Sequence, residues 1–241
     1  PAQPFAERTG RRVTVGQPGQ CVGVGHALEC IAAGAKLVAM AQPAFAAVRI
    51  TEWMYNGGGT NSIGEFVEFT NLGAAAVDFN GWSFDDSSRD PGSQSLSAFG
   101  LVAPGESVVF TDNAAAAFRT NWNLPAAVKI IGGNGNNLSR SDEINLYDAA
   151  NGLVDRLTYG DETFPGSIRT QSKSGNPNNA AALGANDPLL WSFSVAGDAF
   201  GSTTSTVGEI GNPGSYPIPE PATLTLAATA LLVIFGQRRR A

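Results

Sequence analysis

Carboxylates are the side chains of this 241-residue chain whose type and number could support chemistry. Between residues 47 and 221 there are nineteen Asp or Glu, eight Lys or Arg, and no histidine or cysteine. His26, Cys21 and Cys30 all precede Ala47. Ser-His-Asp catalysis, Cys-His catalysis, ordinary zinc sites and an internal disulfide are therefore excluded from that segment. Its net charge of −11 repels phosphate backbones and argues against nucleic acid as the main partner.

Two kinds of carboxylate chemistry remain. A glycosidase needs a pair of carboxyls facing each other across a substrate. Glu65 and Glu68 are three apart on an expected strand, so they point to opposite faces. Glu52 and Glu65 could approach across strands, which makes a carboxylate-dependent hydrolase acting on matrix glycan the alternative function. Asp85, Asp86 and Asp90 offer oxygen ligands for calcium, but their spacing is not that of an EF-hand loop and Arg89 would oppose a cation. A solvated acidic turn is the simpler reading, and Asp142-Glu143 has the same one. No catalytic residue, metal ligand or cofactor is assigned. Trp53, Trp82 and Trp191 read as core or edge aromatics, while Trp122, flanked by asparagines, is the tryptophan expected at the surface.

The elements that must position these groups read as β throughout. Short runs rich in Val, Ile, Phe, Leu and Trp alternate with Gly, Asn, Asp, Ser and Pro clusters. Strands are expected over residues 48–55, 65–69, 107–110, 142–147 and 153–159. Val67 and Phe69 should share one face, as should Val77 and Phe79. Trp82 lies an odd number of residues from Phe79, so a bulge at Gly81 is expected to return it to the core side. Asn151-Gly152 marks a hairpin between the last two strands. The alanines of 114–117 beside Phe118 allow one short helical turn. Strands at this spacing make an all-β sandwich.

Both ends differ from the middle. Ala44-Phe45-Ala46 before Ala47 fits the small-x-small pattern of signal cleavage, after an Ala-rich stretch and upstream arginines. A flexible N-terminal extension is the other reading of residues 1–46. At the other end, Pro219-Glu220-Pro221 is followed by the mainly apolar residues 222–237 and then Arg238, Arg239 and Arg240. As a helix, that apolar stretch would span about 24 Å, short for a membrane but within reach of snorkelling arginines held on the cytoplasmic side.

That order of Pro-Glu-Pro, apolar stretch and terminal arginines resembles the PEP-CTERM sorting signal. The resemblance implies recognition and removal of the tail by an exosortase-type processing enzyme. Residues 48–52 with 64–71, the segment Asp78-Phe79-Asn80-Gly81-Trp82-Ser83-Phe84, the turn Ala103-Pro104-Gly105-Glu106, the hairpin 142–159, residues 166–169, Trp191 and Gly211-Asn212-Pro213-Gly214 resemble a lamin tail domain. That resemblance implies an immunoglobulin-like β-sandwich, with the loops around 87–95 and 176–187 as decoration. The expected organisation is an N-terminal extension with a signal peptide over 1–46, a lamin-tail-like sandwich over 47–215, and a PEP-CTERM tail with a short apolar membrane helix over 216–241. The expected function is an exported, non-catalytic binding or structural module of the cell envelope or extracellular matrix. Its partners would be the export machinery, the processing enzyme, the membrane before processing, and a polysaccharide or surface protein.

Overall fold

The computed structural model describes residues 48–58, 64–160 and 170–217. The residues expected at signal cleavage (Ala44, Ala46, Ala47), those of the sorting motif (Pro219, Glu220, Pro221, Arg238, Arg239, Arg240) and the expected C-terminal apolar helix lie outside the described residues. Among the described residues, no helix is long and apolar enough to cross a membrane.

In chain order the strands are β1 (Val48–Met54), β2 (Phe66–Asn71), β3 (Val77–Asp78), β4 (Ser83–Asp85), β5 (Gln94–Ser95), β6 (Leu101–Val102) and β7 (Ser107–Thr111). A helix, α1 (Ala115–Asn121), follows, and then β8 (Lys129–Ile131), β9 (Asp142–Tyr147), β10 (Leu153–Tyr159), β11 (Gly175–Pro177), β12 (Trp191–Phe193), β13 (Thr203–Thr204) and β14 (Ile210–Gly211). Six strands make one sheet in the order β12-β11-β1-β2-β7-β8, and four make another in the order β10-β9-β4-β5. Neighbours run antiparallel except β7 and β8.

The two sheets share one apolar core. Alternation puts Val67 and Phe69 of β2 and Val108 and Phe110 of β7 on the inner face. They belong to one cluster with Phe84 of β4, Ile144 and Leu146 of β9, and Leu157 and Tyr159 of β10. Each such side chain, fully withdrawn from water, stabilises the fold by roughly 1.5–3 kcal/mol. The β9–β10 hairpin has the expected bounds, and Asn151 at its tip has φ 64°, the left-handed conformation that asparagine tolerates.

Strand β1 breaks the alternation once. Ile50 stands opposite Phe69 and Glu52 opposite Glu68, so Thr51 is the extra residue of a bulge. Ile50 and Trp53, three apart, thus both reach the core, where Trp53 packs on Tyr159 with ring centroids 4.1 Å apart. No bulge forms at Gly81. There the chain makes a tight turn instead, closed by Trp82 N donating to Phe79 O at 3.0 Å with Gly81 at φ 80°. The turn has the expected effect on Trp82, which stacks on Phe79 at 4.6 Å against the core.

A smaller cluster of Met54, Phe66, Val109, Phe118 and Trp122 lies apart from the main one. α1 supplies Phe118, whose ring meets Phe66 edge-on at 5.4 Å. Trp122, expected at the surface, is 6% exposed because α1 folds its ring over Phe66. The segment expected to be a loop from Asn176 begins as a strand, since Asn176 and Pro177 pair with Ser192 and Trp191 of β12.

Candidate functional site

On the inner face of β1 and β2 the side chains are apolar; on the outer face Met54 and Phe66 are apolar, and beside them Glu52, Glu68 and Thr70 are polar and as deeply buried. The bulge sets Glu52 directly opposite Glu68, and both are 0% exposed. Glu68 Oε1 accepts from Thr51 Oγ1 at 2.6 Å and from Thr70 Oγ1 at 3.3 Å, and Thr70 shares a 2.7 Å bond with Ser107. Glu68 Oε2 accepts from the backbone N–H groups of Gly214 at 2.7 Å and Ser215 at 3.0 Å. Glu52 Oε1 accepts from the Asn212 N–H at 2.8 Å and from the Ser174 hydroxyl. Asn176 extends the network, donating to Ser194 and to Asn212 Oδ1, each at 2.8 Å.

Two of the carboxyls in the sheet therefore fasten residues 212–215, the chain's closing segment, across the outer face. Burial strips both of water and favours the neutral form. It pushes Glu52 well above the ordinary carboxyl range, reinforced by the neighbouring charge of Glu68. Glu68 is raised to about 7, because the hydrogen bonds from Thr51, Gly214 and Ser215 partly offset its desolvation. Two facing carboxyls with this little water cannot both ionise cheaply, so the pair holds protons near neutral pH.

Beside this network lies a cleft of about 230 Å³ walled by Trp122, Phe200, Thr203, Asn212, Pro213 and Ser215, among others. Its lining contains no charged side chain. Asn212 and Ser215, held from behind by Glu52 and Glu68, set the shape of one wall.

Glu52 and Glu65 do not form the catalytic pair that cross-strand approach would have given. Glu52 turns to Glu68 on the outer face, whereas Glu65 accepts from Asn134 Nδ2 at 2.9 Å and from the Leu138 N–H at 2.6 Å. Burial, then the nearby Asp112, raises Glu65 to about 9. Its role in this geometry is to tie residues 134–138 to the start of β2.

The acidic turn is solvated from Ser87 to Asp90, but Asp85 at its base is built into the structure. Asp85 is 0% exposed and accepts from the Asp90 N–H at 2.5 Å, Ser88 Oγ at 2.8 Å and Asn136 Nδ2 at 2.6 Å. Asp86 closes a turn by accepting from the Ser88 N–H at 2.8 Å. Arg89 forks onto both oxygens of Glu143 at 2.6 and 2.7 Å, and this hydrogen bonding holds Glu143 down at about 2. Asp142 and Glu143 are likewise buried strand residues rather than a wet face. Among the described residues, no group of three or more His, Cys, Asp or Glu side chains is arranged to hold a metal ion.

Sequence reasoning missed the Glu52–Glu68 pairing, because register decides it and a bulge shifts register. It also missed Ser174, Asn176 and Ser194, polar residues within or directly beside β11 and β12.

A family model described as Lamin Tail Domain matches residues 41–161, half of the chain, and one described as PEP-CTERM protein-sorting motif matches residues 217–240. No curated protein matches the chain. The closing half of the outer-face network, from Ser174 to Ser215, lies beyond the first match.

Proposed function

The chain belongs to the lamin tail domain family and carries a PEP-CTERM sorting motif, and from that premise we propose that it is a non-catalytic binding and structural module of the envelope or matrix. The sorting motif marks it as an exosortase substrate, exported to the cell envelope or surface after a transient membrane-anchored stage. The proposed organisation is a signal peptide within 1–46 cleaved at Ala44-Phe45-Ala46, an immunoglobulin-like sandwich over 47–215, and a tail over 216–241. In that tail Pro219, Glu220 and Pro221 are read by the processing enzyme, and Arg238, Arg239 and Arg240 hold the cytoplasmic side.

One observation carries the non-catalytic reading. Glu52, Glu65 and Glu68 are withdrawn from solvent, and each accepts hydrogen bonds from segments distant in sequence. A general acid or base must reach a substrate proton, whereas these groups are fasteners. The ligand proposed for the uncharged cleft is a neutral sugar unit of a polysaccharide, against which Trp122 and Phe200 offer apolar walls.

The test is the intact mass and terminal peptides of the protein from its own host, followed by affinity electrophoresis through neutral and anionic polysaccharides. Export and sorting predict a species beginning near Ala47 and ending near Pro219-Glu220-Pro221. Retention of Arg238, Arg239 and Arg240 in the membrane fraction sinks the processing step. Retardation by neutral polysaccharide that Phe200→Ala relieves supports the ligand, and glycan turnover lost in Glu52→Gln overturns the non-catalytic reading.

A further inference from the structure

In the outer-face network one fixed group decides the polarity of the next. The Ser215 carbonyl can only accept, so Asn212 turns its Nδ2 to it at 2.7 Å and its Oδ1 the other way. That oxygen takes Asn176 Nδ2 at 2.8 Å and the Ser202 hydroxyl at 3.2 Å. Asn176 also gives its Nδ2 to Ser194 at 2.8 Å, and its Oδ1 is buried without a partner. Trp53 stands opposite Gly175, so the next pair along β1 and β11 is Glu52 and Asn176. Side chains so placed have Cβ atoms about 4.5–5.5 Å apart and touch. Glu52 has the matching defect: its Oε1 accepts from the Asn212 N–H and from Ser174, while its Oε2 is buried without a partner.

Two bare acceptors on neighbouring buried side chains repel, and each lacks a hydrogen bond that burial makes expensive to lose. One proton on Glu52 Oε2 satisfies both. A metal cation fits worse, because the N–H groups of Asn212, Gly214 and Ser215 already point into the network and would oppose it. Glu68 differs from Glu52. Neither of its oxygens is bare, and their bonds come from two hydroxyls and two backbone N–H groups, donors that favour a carboxylate.

We infer that Glu52 and Glu68 hold one proton between them, that Glu52 donates it from Oε2 to Asn176 Oδ1, and that this proton fixes one wall of the cleft. Its loss sets a carboxylate against the Asn176 oxygen. The amide then turns over to present Nδ2 to Glu52, and Asn212 Oδ1 faces an acceptor where it had a donor. Asn212 and Ser215, bonded to each other, both line the cleft, so the wall shifts with them. The switch works on the alkaline side. Burial, then the charge of Glu68, raises Glu52 well above the ordinary carboxyl range, so the folded protein keeps this proton at neutral pH and loses it as pH rises. The other charge acting on Glu52 is Asp198, which also favours the proton, and Tyr216 of the closing segment lies within the field of Glu68. Elsewhere the pair meets the neutral Ser174, Asn176, Ser194 and Ser107, and Arg119 of α1 is turned to the carbonyls of Pro125 and Val128.

What the proton controls rests on the cleft being the binding site, but its presence is tested without a ligand, so a cleft that takes no sugar leaves it standing. Infrared spectra of the full chain in mild detergent at about pH 8 should show carboxylic C=O absorption from Glu52 and Glu65. Glu52→Gln should reduce that absorption, and Glu68→Gln should leave it in place. Hydrogen exchange, corrected for base catalysis, is then followed from about pH 8 to about pH 10. The N–H groups of Asn212, Gly214 and Ser215 should lose protection about tenfold or more, while those of β9 and β10 keep theirs. Glu52→Gln supplies a permanent donor to Asn176 and an acceptor to Asn212, so it should hold that protection constant. Absorption that Glu52→Gln leaves unchanged overturns the inference and assigns the gap beside Asn176 to a bridging water. So does protection at residues 212–215 that stays flat with pH, or that falls equally in Glu52→Gln.

Discussion

The two faces of β1 and β2 are both buried, the inner one by apolar side chains throughout and the outer one by a polar network beside the apolar Met54 and Phe66. Inside, Ile50, Trp53, Val67 and Phe69 exclude water with apolar surface. Outside, Thr51, Glu68 and Thr70 bond one another, and Glu52 and Glu68 accept from the backbone of residues 212–215. Non-directional burial tolerates modest changes of shape, whereas a hydrogen-bonded network fails when a single partner is lost. The inner face thus specifies that the sheets pack, and the outer face specifies where the closing segment lies.

The largest break in that comparison comes from the inside. Trp53→Ala should destabilise the protein by about 3–5 kcal/mol in denaturant unfolding, because the cavity beneath Tyr159 cannot collapse fully.

Outside, the sharper probe is pH. The folded values of Glu52, Glu65 and Glu68 are all raised, Glu68 to about 7 and Glu65 to about 9, from an ordinary 4.5. Above 4.5 the folded protein keeps protons that the unfolded chain releases, so stability falls as pH rises, through 7 for Glu68 and toward 9 for Glu65. Glu143 acts in the opposite sense: its contribution is present above 4.5 and is lost as pH falls toward 2. Between pH 5.5 and 8.5 the denaturation midpoint should therefore drop, with Glu68 alone contributing on the order of 2 kcal/mol of lost stability. Glu68→Gln, which keeps an acceptor and cannot ionise, should flatten that slope. A slope identical to that of the unaltered protein would remove Glu68 from the account.

Gly81→Ala should cost about 1–2 kcal/mol, since φ 80° disfavours a Cβ and the new methyl would stand 3.0 Å from Ala149 Cβ. The smallest effect belongs to neither face. Phe193→Lys, at the exposed edge, should change the stability of the protein by less than about 0.5 kcal/mol.

What the sequence made legible follows the same division. The β9–β10 hairpin could be read to its end residues because Asn151-Gly152 fixes the turn and both strands carry strong β formers. Val67 and Phe69 followed from alternation alone. Thr51 did not, because a bulge leaves no composition signal and changes which residues are neighbours two strands deep. Trp122 was misplaced for a related reason: flanking asparagines suggest water, yet α1 folds the indole onto Phe66. Asp85 was read as solvated because local sequence cannot show Asn136 arriving from 51 residues away. Buried polar groups are legible only once their partners are known, and those partners are set by tertiary structure.

Glu52 and Glu68 sit on β1 and β2, the two middle strands of the six-stranded sheet, and it is there that residues 212–215 are held. A pull on the chain leaving the domain beyond Tyr216 is therefore passed through residues 212–215 to the centre of the sheet rather than to a peelable rim. The load is shared between neighbouring strands whose ladders must shear together, so the exit behaves as a mooring set into the keel.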